Sequence, residues 1–330
     1  MTHVLVLGAG SWGTALSAHL GRKGTRVTLW AYEPEVVAGI NTKHHNPLFL
    51  PEIELPASVT AVGKVGALGD VDAVVMVAPS KVFRSVLQHA QGVRPGTPIV
   101  SATKGLEPGS LDLMTEVIAD VLPSCRPAAL SGPSFAEEVA HGAPTAVVGA
   151  AEDEEVAKAV QEMFASPTFR VYASTDVVGV QLGGALKNVI AIAAGMLEGL
   201  GLGHNPRAAL ITRGLAEITR LGEAMGADPR TFAGLAGVGD LVLTTTGSLS
   251  RNRQLGEFVG KGGTLADWKA KHRTVAEGAD TALTAVELGK RHGVELPVCA
   301  QVHAILFENK LPLKALGELM GRPQTTEVRR

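Results

Sequence analysis

The rhythm of hydrophobic positions changes near residue 175. Before that point, short apolar runs recur at residues 4–7, 26–30, 73–78, 97–102, 128–131, 145–149 and 169–172. Runs of this length and uniformity predict strands buried on both faces of a mainly parallel sheet. Stretches of helical character separate them at residues 14–22, 79–90 and 152–165. After residue 174 no strand pattern returns. Helical patterns follow at 177–197, 206–225, 276–291, 297–307 and 313–320, and Asp228-Pro229 reads as the cap of a further short helix. The pattern predicts an α/β, doubly wound N-terminal domain of Rossmann type over residues 1–175, then an all-α substrate and catalytic domain over residues 176–330. Residues 41–56 hold three prolines and the adjacent His44 and His45, and predict a loop-rich surface excursion rather than a metal pair.

One stretch breaks the rule that apolar segments exclude charge. Residues 177–197, VVGVQLGGALKNVIAIAAGML, place Lys187 and Asn188 at their centre. The length suits a membrane span, but a lysine at the midpoint costs about 3 kcal/mol on insertion scales. A core helix with a snorkelling lysine is a second reading. The third is a central helix that presents an amine and an amide to a cleft. A desolvated lysine can exchange a proton near neutral pH.

Glycines supply the second motif. The run at residues 4–7 enters Gly8-Ala9-Gly10-Ser11-Trp12-Gly13, and helical character resumes at Thr14. In this strand–turn–helix context, G-x-G-x-x-G predicts dinucleotide binding. Gly8 turns the chain, Gly10 admits a pyrophosphate, and Gly13 lets helix and strand pack closely. At the end of the second strand, Ala31, Tyr32 and Glu33 offer an acid for a ribose hydroxyl. No cation stands at Ala31 or Tyr32 for a 2′-phosphate, which leans toward NAD while leaving NADP open.

Further polar groups fall where open α/β sheets bind ligands, after the strands. Lys104 follows the strand ending at residue 102, and Gly132-Pro133-Ser134 follows the strand ending at 131, ahead of an acidic helical turn. In the second half, Gly237-Val238-Gly239-Asp240 puts an acid after a flexible glycine turn. Ser250-Arg251-Asn252-Arg253 starts a helix with a hydroxyl cap and a guanidinium, a combination suited to phosphate.

Composition narrows the function classes. The 330 residues carry a net charge of −2, so no global basic field points to nucleic acid. Cys125 and Cys299 are the two cysteines; they form neither a disulfide framework nor a zinc motif, and no metal is expected. No charged n-region or cleavage site is evident before the first strand, so the expected location is the cytoplasm, without membrane insertion.

The motifs together resemble bacterial NAD(P)-dependent glycerol-3-phosphate dehydrogenase along nearly the whole chain. The matching stretches are GAGSWGTAL, NPLFLP, ATKGLE, SGPSFAEEVAHGAPTA, FRVYASTDVVGVQLGGALKNVIAIAAGM, ALITRGLAEITRLG, GLAGVGDLVLT, SRNRQLG and VAEG. The resemblance implies a second domain of the helical type found in 6-phosphogluconate dehydrogenase. It implies Ser11 and Trp12 at the cofactor phosphates and Tyr32 near the adenosine ribose. Lys104 would lie between cofactor and substrate. Gly132 and Ser134 would bind substrate, and Ala136 cofactor. Lys187 would be the catalytic acid/base in contact with substrate. Asp240, Ser250, Arg251 and Asn252 would hold the substrate, Arg251 also approaching the nicotinamide nucleotide. Val275 and Glu277 would close over the cofactor.

The implied reaction interconverts dihydroxyacetone phosphate and sn-glycerol 3-phosphate, feeding glycerophospholipid synthesis. It needs a hydride at C2 and a proton at the carbonyl oxygen, and Lys187 can serve the proton if burial and Lys104 draw its pKa toward neutrality. Two-domain hydroxyacid dehydrogenases would need carboxylate recognition instead. A homodimer is compatible with the apolar helical half. The membrane reading of residues 177–197 falls away, because a dinucleotide crevice precedes them and a phosphate site follows.

Overall fold

The computed structural model of the chain describes residues 2–272, 276–324, 326 and 327. Its N-terminal part contains β1 (His3–Leu7), β2 (Arg26–Trp30), β3 (His45–Asn46), β4 (Leu50–Glu54), β5 (Val59–Val62), β6 (Ala73–Met76), β7 (Pro98–Ser101), β8 (Arg126–Ser131), β9 (Thr145–Ala150) and β10 (Phe169–Ser174). The helices among them are α1 (Ser11–Arg22), α2 (Pro34–Lys43), α3 (Phe83–Leu87), α4 (Met114–Val121), α5 (Ala136–Ala140) and α6 (Glu154–Phe164). One sheet runs in the order β10-β9-β8-β7-β6-β1-β2-β5.

Alternation along β1 shows why both faces had to be apolar. Val4 and Val6 join the core under α1, α2 and α6, whereas Leu5 and Leu7 join the core under α3 and α4. From β1 the chain moves first to β2 and later to β6 on the other side. The strand order reverses there, which opens a crevice beyond the carboxyl ends of β1 and β6.

Several elements differ from the sequence reading. The sheet is parallel except between β8 and β9, which pair antiparallel because the chain returns through the five-residue α5 rather than a full crossover helix; β10 is parallel to β9, so these two strands run opposite to the others. The expected loop at 41–56 contains the end of α2 and the β3–β4 hairpin. His44 ends α2 in the left-handed conformation, and His45 Nδ1 meets the Pro51 carbonyl at 3.0 Å. The single helix expected over 79–90 is α3 flanked by 3-10 turns at Ser80–Val82 and Gln88–Ala90.

The second part is helical among its described residues: α7 (Val177–Gly199), α8 (His204–Ala224), α9 (Pro229–Phe232), α10 (Asp240–Thr246), α11 (Arg251–Gly260), α12 (Leu265–Lys271), α13 (Glu277–Arg291), α14 (Pro297–Phe307) and α15 (Pro312–Met320). Asp176 caps α7 by accepting from the Gly179 N–H at 2.8 Å, and it also accepts from the Asp228 N–H and the Thr231 hydroxyl.

Although α7 has the length and apolarity of a membrane span, 89% of its most apolar window is buried inside the protein. Leu182, Leu186, Ile190 and Met196 from α7 anchor the core of the helical part. The glycines of α7 let a neighbouring backbone touch it. A Cβ on Gly195 would fall 1.9 Å from the Arg253 carbonyl oxygen, and one on Gly256 of α11 the same distance from that of Ile192. Small residues on both helices thus bring α7 and α11 into near backbone contact. That approach seats the N-terminus of α11 beside the middle of α7.

Candidate active site

The crevice at the strand reversal widens into a cleft of about 1140 Å³ between the two parts. Its floor begins at the glycine turn. Gly8 has φ +119°, and a Cβ there would lie 3.0 Å from the Val77 carbonyl carbon. A Cβ on Gly13 would sit 1.8 Å from the Gly8 carbonyl oxygen, so this glycine packs helix against strand. Gly10 has open space where a side chain would point. The Thr14 N–H bonds back to the Gly10 carbonyl at 2.9 Å, which leaves the N–H groups of Ser11, Trp12 and Gly13 at the open end of α1. The Trp12 indole Nε1–H is buried with no partner among the described residues. These groups suit a dinucleotide: a backbone approach at Gly10, unspent donors, and a helix N-terminus for pyrophosphate.

A buried charge cluster closes the deep end. Lys187 lies in the middle of α7 and is 5% exposed. Its Nζ donates to Asp240 Oδ1 at 2.5 Å and to Thr244 Oγ1 at 2.6 Å. Lys104, reaching in from beyond β7, donates to Asp240 Oδ2 at 2.7 Å and to the Gly132 carbonyl at 2.9 Å. One carboxylate therefore bridges two ammonium groups from the two parts of the chain. Asp240 starts α10 and Thr244 follows one turn later, so both face α7.

Burial draws the Lys187 pKa down from 10.5 to about 7; Asp240 opposes the shift, and the charge of Lys104 assists it. Desolvation outweighs the ion pair, and the second ammonium on the same carboxylate adds to the downward shift. Glu277, first in α13, also borders the cleft. Burial raises its pKa to about 7, against the pull of Lys104, Lys187 and Arg251.

The rim is tied by polar contacts. Arg251 Nη2 donates to Ser11 Oγ at 2.8 Å, joining α11 to the glycine turn, and Ser11 Oγ donates to the Phe49 carbonyl at 3.1 Å. Ser250 caps α11 by accepting from the Arg253 N–H at 3.2 Å. Arg253 turns away from the cleft and pairs with Glu198. Asn188 Oδ1 accepts from Asn252 Nδ2 at 3.0 Å, and Asn252 Oδ1 accepts from the Gly278 N–H at 3.0 Å.

Of the residues singled out in the sequence, Gly8, Gly10, Ser11, Trp12, Tyr32, Lys104, Ser134, Ala136, Lys187, Ser250, Arg251, Asn252 and Glu277 all border this cleft. Gly13, Gly132 and Asp240 stand behind it. Gly132 has φ +138° and presents its carbonyl to Lys104. The Asp240 side chain is fully enclosed and meets the cleft through the two lysines. Val275 lies outside the described residues.

Phe135 holds the N-cap position of α5, and Ser134 Oγ donates to the Gly132 carbonyl. The glycine turn before Asp240 is a π-helical turn, Leu235–Gly239, in which a Cβ on Gly237 would meet the Phe232 backbone at 2.1 Å. Thr244 was not foreseen, although its spacing of four from Asp240 places both on one helix face.

Models of the NAD-dependent glycerol-3-phosphate dehydrogenase N-terminus and C-terminus match residues 3–157 and 176–317. The chain belongs to this family. A protein of Geobacter metallireducens called glycerol-3-phosphate dehydrogenase (NAD(P)+) is 54% identical over 98% of both chains. One of the same name from Koribacter versatilis is 54% identical over 99% of both. The crystal structure of glycerol-3-phosphate dehydrogenase from Coxiella burnetii superposes with a TM-score of 0.93 at 40% identity, covering 97% of this chain and 99% of that one. This family membership accounts for the pairing of a Rossmann-like domain with a helical one.

Proposed function

We propose that this chain reversibly reduces dihydroxyacetone phosphate to sn-glycerol 3-phosphate with a nicotinamide dinucleotide, and that Lys187 moves the proton. The observation that carries the mechanism is the amine of Lys187, buried at the cleft's deep end with its pKa near 7. The dinucleotide, held by the turn around Gly8, Gly10, Ser11 and Trp12, supplies the hydride when bound. The protein's part is placement and proton transfer.

A lysine ammonium has three donors. Two of Lys187's are taken by Asp240 and Thr244, and the third is available to an oxygen in the cleft. During reduction this donor protonates the substrate oxygen; in the reverse direction the neutral amine accepts the hydroxyl proton. Asp240 holds the amine in place and favours its charged form. Lys104, on the same carboxylate, lowers the Lys187 pKa and adds positive charge beside the forming alkoxide. The amide chain Asn252–Asn188 orients the Asn188 side chain, and Arg251 supplies a cation for a phosphate at the cleft rim. Residues 1–175 would form the dinucleotide domain and 176–330 the substrate domain. The product is a glycerol phosphate, a class that lipid synthesis consumes; cytoplasmic residence and a homodimer complete this reading.

Lys187→Ala tests the assignment. Oxidation of reduced dinucleotide on addition of dihydroxyacetone phosphate should fall by about 10²–10⁴-fold, the usual weight of general acid catalysis. Dinucleotide binding should survive, since the glycine turn lies in the other part of the chain. Near-wild-type turnover would reject Lys187 as the proton donor. Turnover of small hydroxyacids in place of the triose phosphate would reject the substrate.

A further inference from the structure

We propose that Arg84 and Glu107 are positioning residues for Lys104, and that their paired contact fixes where the Lys104 amine meets Asp240. The proposal rests on the functional reading above and concerns the loop that carries Lys104. A lysine side chain is long and flexible, so its amine is placed only as well as its backbone is held. Residues 103–113 are held from three sides. At the sheet, the Thr103 hydroxyl donates to the Ala78 carbonyl at 2.7 Å. Toward the helical part, Leu106, Leu111 and Leu113 are buried in the core that α7 anchors. Leu111 adopts the left-handed conformation there, with φ 68°, a region a leucine takes only where its surroundings hold it.

The third side is α3. Arg84 Nε donates to Glu107 Oε1 and Arg84 Nη2 to Glu107 Oε2, both at 2.8 Å, a two-pronged contact that fixes direction as well as distance. Ser110 Oγ donates to Glu107 Oε2 at 2.7 Å. The Glu107 N–H donates to the Asp112 carbonyl, and the Glu107 carbonyl accepts from the Leu111 N–H. Glu107 is thus the node of the loop, and it follows Lys104 by three residues. Its side chain is 13% exposed, which shields the pair from the screening that weakens surface ion pairs. The guanidinium holds the Glu107 carboxyl below the ordinary carboxylate range, against the upward push of burial. The pair therefore stays ionised from about pH 6 to 9. Asp120 of α4 also accepts from Arg84, through Nη1, and lies outside the loop.

Losing the two-pronged contact lets Lys104 drift from Asp240. The charged groups that bear on Lys187 are Asp240, Lys104 and Glu277, and of these Lys104 is the one this loop carries. With that positive neighbour withdrawn and Asp240 left to one amine, Lys187 keeps its proton to higher pH. The bare charge change in Glu107→Gln works the other way, since removing an anion lowers a lysine pKa. The direction of the shift therefore separates placement from charge.

The test is the pH profile of kcat/KM for dihydroxyacetone phosphate reduction in Glu107→Gln, Arg84→Lys and Asp120→Asn, with melting temperatures alongside. In Glu107→Gln the ratio at neutral pH should fall about 10–10²-fold, the cost of a misplaced group. Its decline on the alkaline side should begin about half a pH unit or more later than in the wild type. Arg84→Lys keeps the charge without the fork and should move the profile the same way; it decides the matter alone if Glu107→Gln does not fold. Asp120→Asn, which leaves the contact to Glu107 in place, should keep the wild-type profile. A profile in Glu107→Gln or Arg84→Lys that stays in place or moves to lower pH would overturn the positioning role, whatever the melting temperature. An equal shift in Asp120→Asn would do the same, because any loosening of α3 would then suffice. A wild-type protein that does not reduce dihydroxyacetone phosphate would overturn the functional reading as well.

Discussion

Lys187 stands out because hydrophobic patterning makes a lone charge conspicuous, and the structure supplies what patterning lacks: its counter-ion lies 53 residues away. Asp240 was legible as an acid after glycines, but its bridging of two lysines was not, because no spacing rule relates residues on three separate elements. The bridge makes a prediction. In Asp240→Asn the two ammonium groups lose their shared anion. As the Asp240 charge raises the Lys187 pKa, its removal lowers that pKa further. Reduction at neutral pH should then fall on the order of 10²-fold and recover partly on acidification. Breaking a buried pair should also cost on the order of 3 kcal/mol of stability. A pH–rate series and a denaturant melt check both; a variant with a wild-type pH profile would separate Asp240 from the lysine.

At the scale of elements, strands buried on two faces were readable as apolar runs, and the long α7 as a continuous one. Elements with mixed composition were not: β3 and β4 sit at the surface among prolines and histidines, and their burial alternates without a clear apolar face. The glycines of α7 and α11 were countable, yet only the structure shows that they mark a seam rather than turns. Gly195→Ala pushes a methyl into the α11 backbone and should cost about 3 kcal/mol or more, with loss of activity as Arg251 shifts. Gly317→Ala, on the exposed face of α15 with open space around it, should gain about 0.5–1 kcal/mol. Urea melts of the two variants test the seam, and equal effects would refute it.

Across the whole molecule, the change of pattern near residue 175 anticipated the passage from β10 to α7. The sheet order and the antiparallel β9 are products of chain return and could not be read from periodicity. Lys104 and Ser11 on one side of the cleft bond Asp240 and Arg251 on the other. A second buried acid, Glu217 of α8, binds the N-terminus of α14 by accepting from the Val298 N–H at 2.7 Å and the Cys299 N–H at 3.3 Å. Burial raises its pKa from 4.5 to about 7, more than the two N–H groups lower it. A raised carboxyl pKa contributes stability that is full below about pH 4.5 and is lost as pH rises through about 7. The span corresponds to on the order of 3 kcal/mol. Glu217→Gln should therefore melt higher than the wild type above about pH 7, with the gap closing toward pH 4.5. A gap independent of pH would mean that Glu217 is ionised throughout.

If the buried amine of Lys187, with its pKa near 7, delivers the proton, the pH dependence of kcat/KM for dihydroxyacetone phosphate reduction must carry its titration, because that ratio reports groups of the free enzyme. The profile should fall above about pH 7, approaching tenfold per pH unit as Lys187 loses its proton, and the fall should persist in Glu277→Gln. A profile that stays level from about pH 7 to 9 would contradict the account.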